Sequence, residues 1–154
     1  MPYNSSLYSS NFMLEALSQA KLAYEANEVP IGCVITNNNK IIAKSHNLTK
    51  ANIDQTAHAE ILAIKTACNA LKTATLENCD IYITLEPCPM CLTAISYTRI
   101  KRIYYGANDE KFGAIESNSL YNFKNLAIFK SEVYSGINSE ESKLLLQQFF
   151  KNKR

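Results

Sequence analysis

Apolar residues recur at helical spacing in the first part of the chain. Residues 1–10 are polar and have no period, whereas the apolar positions over residues 13–24 repeat every three or four residues. Asn11 is the predicted N-cap, and the helix is expected to end before Pro30. We therefore expect a mobile leader over residues 1–10 and a single folded domain over residues 11–154.

Three further helices are predicted along the chain. One runs from Thr56 to Leu71, and a second begins at the prolines of residues 87–89 and ends near Tyr97. The last covers residues 139–151, where the apolar side chains form one stripe.

The strands predicted between these helices are short and rich in isoleucine, valine and tyrosine. Residues 31–36 and 40–45 form a predicted hairpin around the turn at residues 37–39. Residues 81–85 lack polar alternation, as expected for a central strand, and residues 102–106 form another strand. Strands that alternate with helices predict an α/β domain, in which functional sites lie beyond the carboxyl ends of strands.

The composition is that of an ordinary globular domain. The chain has 154 residues, of which 47% are apolar and 19% charged, and this suits one domain with a sizeable core. It contains no run of 18 apolar residues and no signal-peptide pattern, so we expect a soluble, cytoplasmic protein without a membrane partner. Five cysteines, an odd number, fit a reducing compartment. A net charge of +2 does not by itself predict a nucleic-acid partner.

One histidine and two cysteines stand at a spacing that predicts a metal site. His58 precedes a segment, residues 87–91, in which Cys88 and Cys91 are three positions apart. A neutral imidazole and two thiolates are ligands that zinc prefers, and three protein ligands leave a fourth tetrahedral position for water. Because catalytic zinc sites keep such an open position, the pattern predicts a zinc enzyme with one Zn²⁺ per chain.

Glu60 is predicted to be the acid/base of this site and not a ligand. It stands two positions after His58, a spacing that turns a helix by roughly 200° and does not place both side chains on one face. It would take a proton from the water at the open position and pass it to the substrate. The alternative is a closed structural zinc site, but His46 and the spare cysteines lack the paired spacing of a fourth ligand.

On these motifs, the chain resembles the cytidine deaminase superfamily and, within it, the bacterial tRNA-specific adenosine deaminases. Besides residues 56–60 and 87–91, the resemblance includes residues 28–32, residues 106–114 and a Phe149-Phe150 pair near a basic C-terminus. It implies a three-layer α/β/α fold with a central mixed sheet and a zinc-dependent hydrolytic deaminase. The implied reaction converts adenosine to inosine at the wobble position of tRNA anticodons, and the implied active form is a homodimer.

The resemblance also implies contacts with the tRNA anticodon stem-loop. Asn47 would contact the sugar or base, Pro30 and Ala59 would belong to the substrate-binding set, and Phe149 and Phe150 would lie beside the anticodon loop. From the residues alone, Asn47 also fits a turn, and the two phenylalanines fit the core face of a helix.

Two positions depart from the family pattern, and two other functions stay open. Gln55 replaces a usual proline, and Glu116-Ser117 replaces a usual Gly-Ser near the expected RNA. A free nucleobase deaminase, for guanine or cytosine, would share the metal motif. An RNA-binding module with a structural zinc is the alternative without catalysis, and Glu60 argues against it because a structural site needs no carboxylate there.

Overall fold

Helices and strands alternate along the chain, as the hydrophobic pattern predicts. The computed structural model describes residues 5–120, 125 and 127–153, with only the backbone given for residues 5–9. Within this part the elements are α1 (Ser5–Glu25), β1 (Gly32–Asn37), β2 (Lys40–His46), α2 (Ala59–Leu71), β3 (Cys79–Leu85), α3 (Pro89–Thr98), β4 (Arg102–Ala107), β5 (Glu132–Tyr134) and α4 (Ser139–Lys151).

The five strands form one mixed sheet in the order β2-β1-β3-β4-β5. β1 pairs antiparallel with β2 and β3, whereas β4 pairs parallel with β3 and β5. The predicted hairpin between β1 and β2 is confirmed. Its turn residues Asn38 and Asn39 have φ values of 52° and 61°, the left-handed backbone that a tight hairpin turn needs and that asparagine tolerates.

Helices cover both faces of the sheet. Because side chains alternate along a strand, Ile81 and Ile83 of β3 face α2 and α3, whereas Tyr82 faces α1. The first core cluster also contains Ala59, Ala63, Leu92 and Ile95, and the second contains Met13, Ala16, Val34 and Tyr104. The three-layer α/β/α fold with a central mixed sheet is thus confirmed.

Two predicted boundaries were wrong, and one strand was missed. α1 begins at Ser5 and not after Asn11, because a helix whose later turns pack on the sheet can extend through polar turns that have no hydrophobic period. The predicted leader therefore overlaps this helix, and residues 1–4 lie outside the described part of the chain. α2 begins at Ala59 and not at Thr56. β5, with three residues, was not predicted.

In the described part of the chain, no helix has both the length and the apolar character needed to cross a membrane. α1, with 21 residues, is long enough but too polar.

Candidate active site

The metal-ligand motif lies at the first residues of two helices. His58 is the N-cap of α2 and Cys88 is the N-cap of α3, each with extended backbone. Pro89 opens α3, so that Cys91 lies in its first turn. Because the N-terminus of a helix carries partial positive charge, this position favours the thiolate form of Cys88.

The three predicted ligand atoms converge. His58 Nδ1 lies 3.4 Å from Cys91 Sγ and 3.7 Å from Cys88 Sγ, and all three atoms lie within 4.8 Å of one another. Tetrahedral zinc with ordinary bond lengths separates its nitrogen and sulfur ligands by about 3.6 Å. Donor types and spacing therefore fit a zinc ion, and the part of the chain that the structure describes contains no second group of this kind.

The pKa values of the two thiols are shifted in opposite directions. The hydrogen bond with Cys91, together with His58, lowers the pKa of Cys88 to about 4. The same bond, together with burial, raises the pKa of Cys91. A bound divalent cation would favour the thiolate form of both side chains.

Glu60 lies beside the ligands on the first turn of α2. Its carboxylate is buried, and Oε2 accepts a hydrogen bond from Cys91 Sγ at 3.4 Å. Burial raises the pKa of Glu60 above its ordinary value. A carboxyl group with a raised pKa beside an open metal position suits proton transfer at neutral pH.

The predicted pocket residues lie on elements that meet near this centre. Pro30 precedes β1 and Asn47 follows β2, and both are buried. The Asn47 backbone N–H donates to the carbonyl of Ile31 at 3.1 Å, which ties these two segments together. Ala59 is buried between His58 and Glu60. Contact of Asn47, Pro30 and Ala59 with a substrate stays a prediction.

The C-terminal phenylalanines differ in environment. The exposed fraction of Phe149 is 5%, and its ring packs 5.9 Å from Tyr24 of α1, between the centroids. Phe150 is 51% exposed and contacts Phe149 edge to face at 5.3 Å. The core interpretation thus describes Phe149, whereas Phe150 presents a free aromatic face.

A buried carboxylate that the sequence did not single out lies directly before the metal-binding cysteines. Glu86 is 2% exposed, and six donors in the segment 108–117, here termed the Asp109 loop, converge on it. Its Oε2 accepts backbone N–H groups of Ile115, Glu116 and Ser117 at 3.0, 2.7 and 3.1 Å. Its Oε1 accepts Asp109 N–H at 3.2 Å, Asn108 Nδ2 at 3.3 Å and the Ser117 hydroxyl. An acidic residue at the end of an apolar strand is the only sequence signal for this arrangement.

A second buried carboxylate holds the segment before His58. Glu28 is 1% exposed and accepts hydrogen bonds from residues of the segment 48–57, here termed the Ile53 loop. The donors are Ala51 N–H at 2.8 Å, Lys50 N–H at 3.2 Å and Thr49 Oγ1 at 3.3 Å. One loop that precedes His58 and one that bonds to Pro87 are therefore each held by a buried glutamate.

Hydrogen bonds hold the backbone at both departures from the family pattern. Next to Gln55, the Asp54 carboxylate accepts hydrogen bonds from Thr56 N–H and Oγ1 at 2.8 and 2.7 Å, which closes the turn without a proline. Glu116 donates its backbone N–H to Glu86, and Ser117 also donates its hydroxyl. Neither departure disturbs the metal ligands.

Comparisons with known proteins agree with this geometry. A family model of MafB19-like deaminases matches residues 9–154. A tRNA-specific adenosine deaminase of Rickettsia felis is 49% identical over 92% of this chain and 100% of its own length. A solved structure from work on A-to-I editing by tRNA:A34 deaminases at the wobble position is 47% identical, with a TM-score of 0.85, and the match covers 88% of this chain and 99% of that one.

A guanine deaminase of Bacillus subtilis is also similar, at 39% identity and a TM-score of 0.61. That match covers only 64% of this chain and 63% of the other. The matches that combine 42–49% identity with coverage of about nine tenths of this chain are with the tRNA enzymes. The chain therefore belongs to the family of tRNA-specific adenosine deaminases.

Proposed function

We propose that this chain converts adenosine to inosine at the wobble position of tRNA anticodons, with one zinc ion held by His58, Cys88 and Cys91. The observation that carries the proposal is the convergence of these three ligand atoms, with the buried Glu60 carboxylate beside them. Similarity over nearly the whole length of a tRNA:A34 deaminase supports the substrate class.

Glu60 carries the proton transfers of the proposed reaction. Zinc, when bound, supplies a water whose pKa is lowered to near 7. Glu60 takes a proton from the water that attacks C6 of adenine and donates it to the ring nitrogen. It then takes the second proton from the new C6 hydroxyl and donates it to the departing amine as the C6–N bond breaks. The products are inosine and ammonia. Burial raises the pKa of Glu60, which suits a carboxyl group that accepts and then donates a proton.

Recognition of the anticodon loop requires an unpaired base that leaves the stack. Single-stranded loops allow this, because their splayed bases can enter a pocket and stack on aromatic side chains. Phe150, exposed on α4, offers such a face, and Asn47 offers an amide that can donate and accept. We also propose a cytoplasmic homodimer, as the family resemblance implies.

The test uses zinc-loaded protein and an anticodon stem-loop with adenosine at the wobble position. Matched substrates are the same stem-loop with guanosine at that position, free adenosine, guanine and cytosine. Inosine in digested RNA and ammonia release are measured together. We expect inosine from the adenosine stem-loop alone, and a weaker reaction with Phe150→Ala at low RNA concentration. Deamination of free guanine or cytosine without any reaction on RNA would favour the nucleobase deaminase instead.

A further inference from the structure

The Asp109 loop is bonded directly to the metal-binding segment. Ala114 N–H donates to the carbonyl of Pro87 at 3.0 Å, next to Cys88. The Ala114 side chain is buried in the core cluster that contains Ala59 and Leu92. The backbone of this loop therefore has a defined position relative to one ligand cysteine.

Glu86 contacts both ends of the loop at once. Asp109 lies near its start and Ser117 at its end, and both bond to the same carboxylate. A carboxylate offers about four lone-pair sites, so six donors saturate it. Among the described residues no lysine or arginine forms an ion pair with Glu86. The loop itself therefore replaces the water that a buried charge loses.

Gly113 allows this close approach. A Cβ atom at Gly113 would lie 2.5 Å from Cδ and Oε1 of Glu86 and 2.5 Å from the carbonyl oxygen of Asp109. Lys111 and Phe112, in contrast, are exposed, with the Lys111 ammonium 5.5 Å from the Phe112 ring. The loop thus has an inner side that bonds to Glu86 and an outer side with a cation and an aromatic ring, groups that contact phosphates and unpaired bases.

We propose that Glu86 is a positioning residue for the RNA substrate. It holds the Asp109 loop as a wall of the pocket and so sets the strength of RNA binding, while proton transfer stays with Glu60. The inference rests on the proposed function, because RNA is the substrate there. Kinetics can therefore distinguish the two carboxylates, because Glu86 affects mainly KM and Glu60 affects mainly kcat.

Three variants disturb the arrangement in different ways. In Glu86→Gln, the amide oxygen can accept the three backbone N–H groups of residues 115–117, and the NH₂ group then faces Asp109 N–H, donor against donor. Glu86→Ala removes every acceptor. Gly113→Ala leaves the carboxylate intact and displaces the loop by steric contact. Glu110→Gln is the matched control, since it neutralises an exposed carboxylate in the same loop.

The first measurement is residue-resolved amide hydrogen exchange of the zinc-loaded proteins. We expect Glu86→Gln to accelerate exchange at Asp109 by about tenfold or more, with residues 115–117 still protected. Glu86→Ala should accelerate all four amides, and Glu110→Gln none. Unchanged protection in Glu86→Ala would overturn the proposal. If that variant does not fold, Glu86→Gln and Gly113→Ala decide the question by the same criterion.

The second measurement is steady-state kinetics on the adenosine stem-loop. We expect KM to rise by about tenfold or more in Glu86→Gln and Gly113→Ala, with kcat within about threefold of wild type. A merely structural role would lower kcat with the folded fraction and leave KM unchanged, and that result would overturn the proposal. A wild-type protein that ignores RNA would refute the proposed function, whereas the exchange data alone would still test the contact between Glu86 and the loop.

Discussion

Two loops border the proposed site, and each is bonded to a buried glutamate, but the two glutamates hold their loops differently. Glu86 contacts the Asp109 loop at both ends through six donors. Glu28 contacts only residues 49–51 of the Ile53 loop, through three donors. The rest of that loop depends on its own turn bonds, such as Asp54 N–H to the Thr49 carbonyl at 3.0 Å.

The difference is visible at the outer end of the Ile53 loop. Ile53 is 95% exposed and has a φ of 50°, a backbone conformation that is unfavourable for a β-branched residue. In the Asp109 loop, Ala114 instead packs into the core. A loop that is bonded at both ends by one carboxylate acts as a fixed wall, whereas a loop that is bonded at one end retains a strained, apolar tip.

The largest effect is expected from the metal that both loops adjoin. Cys91→Ala removes one of three ligands, so the purified protein should contain less than about a tenth of the wild-type zinc, with deamination at background. Zinc is measured by atomic absorption and inosine by nucleoside analysis. Both loops should lose amide protection together, because one ends at His58 and the other bonds to Pro87. Retention of a full zinc equivalent would contradict the ligand assignment.

Removal of the Glu60 carboxylate should leave both loops intact. Glu60→Ala is expected to keep its zinc and to reduce kcat by about 10²–10⁴-fold, the range typical of lost general acid/base catalysis. Amide exchange in both loops should match that of wild type. Turnover near the wild-type rate would refute the assignment of Glu60 as proton carrier.

The unequal number of donors predicts unequal stability losses. Glu28→Ala should lower the free energy of unfolding by about 2–3 kcal/mol, because it leaves buried N–H groups without a charged acceptor, and Glu86→Ala should lower it further. Urea unfolding of the zinc-loaded proteins measures both. Glu25→Ala, which removes an exposed carboxylate from the end of α1, should stay within about 0.5 kcal/mol. Equal losses in Glu25→Ala and Glu28→Ala would contradict the role of Glu28.

The smallest effect concerns the strained tip. Ile53→Asn should raise the free energy of unfolding by about 1 kcal/mol, because asparagine tolerates the left-handed backbone and Ile53 buries almost no apolar area. Leu120→Asn is the control, since Leu120 is 85% exposed without a positive φ. A change of equal size in the two variants would remove the argument from strain.

The sequence predicted which three ligand atoms the structure brings together, because that information is local. Cys88 and Cys91 are joined by one helical turn, and His58 and Glu60 share another. The bounds of α4 agree with the prediction, since its amphipathic stripe is long. The alternation of helices and strands along the chain was sufficient to predict the α/β fold class.

The missed features depend on contacts between distant segments. Glu86 and Glu28 accept most of their hydrogen bonds from backbone N–H groups, in residues 109–117 and 50–51. Every residue except proline carries such a group, so no pattern of side chains in the sequence predicts these bonds. β5 is a three-residue edge strand that β4 alone stabilises. The early start of α1 at Ser5 was missed because its first residues are mostly polar and have no hydrophobic period.

The parallel pairing of β4 with β5 has a consequence for how this protein family can diversify. An antiparallel partner could follow β4 after a two-residue turn, but a parallel partner requires the chain to travel back along the sheet. Residues 108–131 join the two strands, and the first part of this connection, the Asp109 loop, bonds to Pro87 beside Cys88. The length of the connection is not set by the register of the sheet, because that register is set by pairs between strand residues. A change of length beyond the Asp109 loop would therefore leave the predicted zinc ligands and Glu60 where the two helices begin.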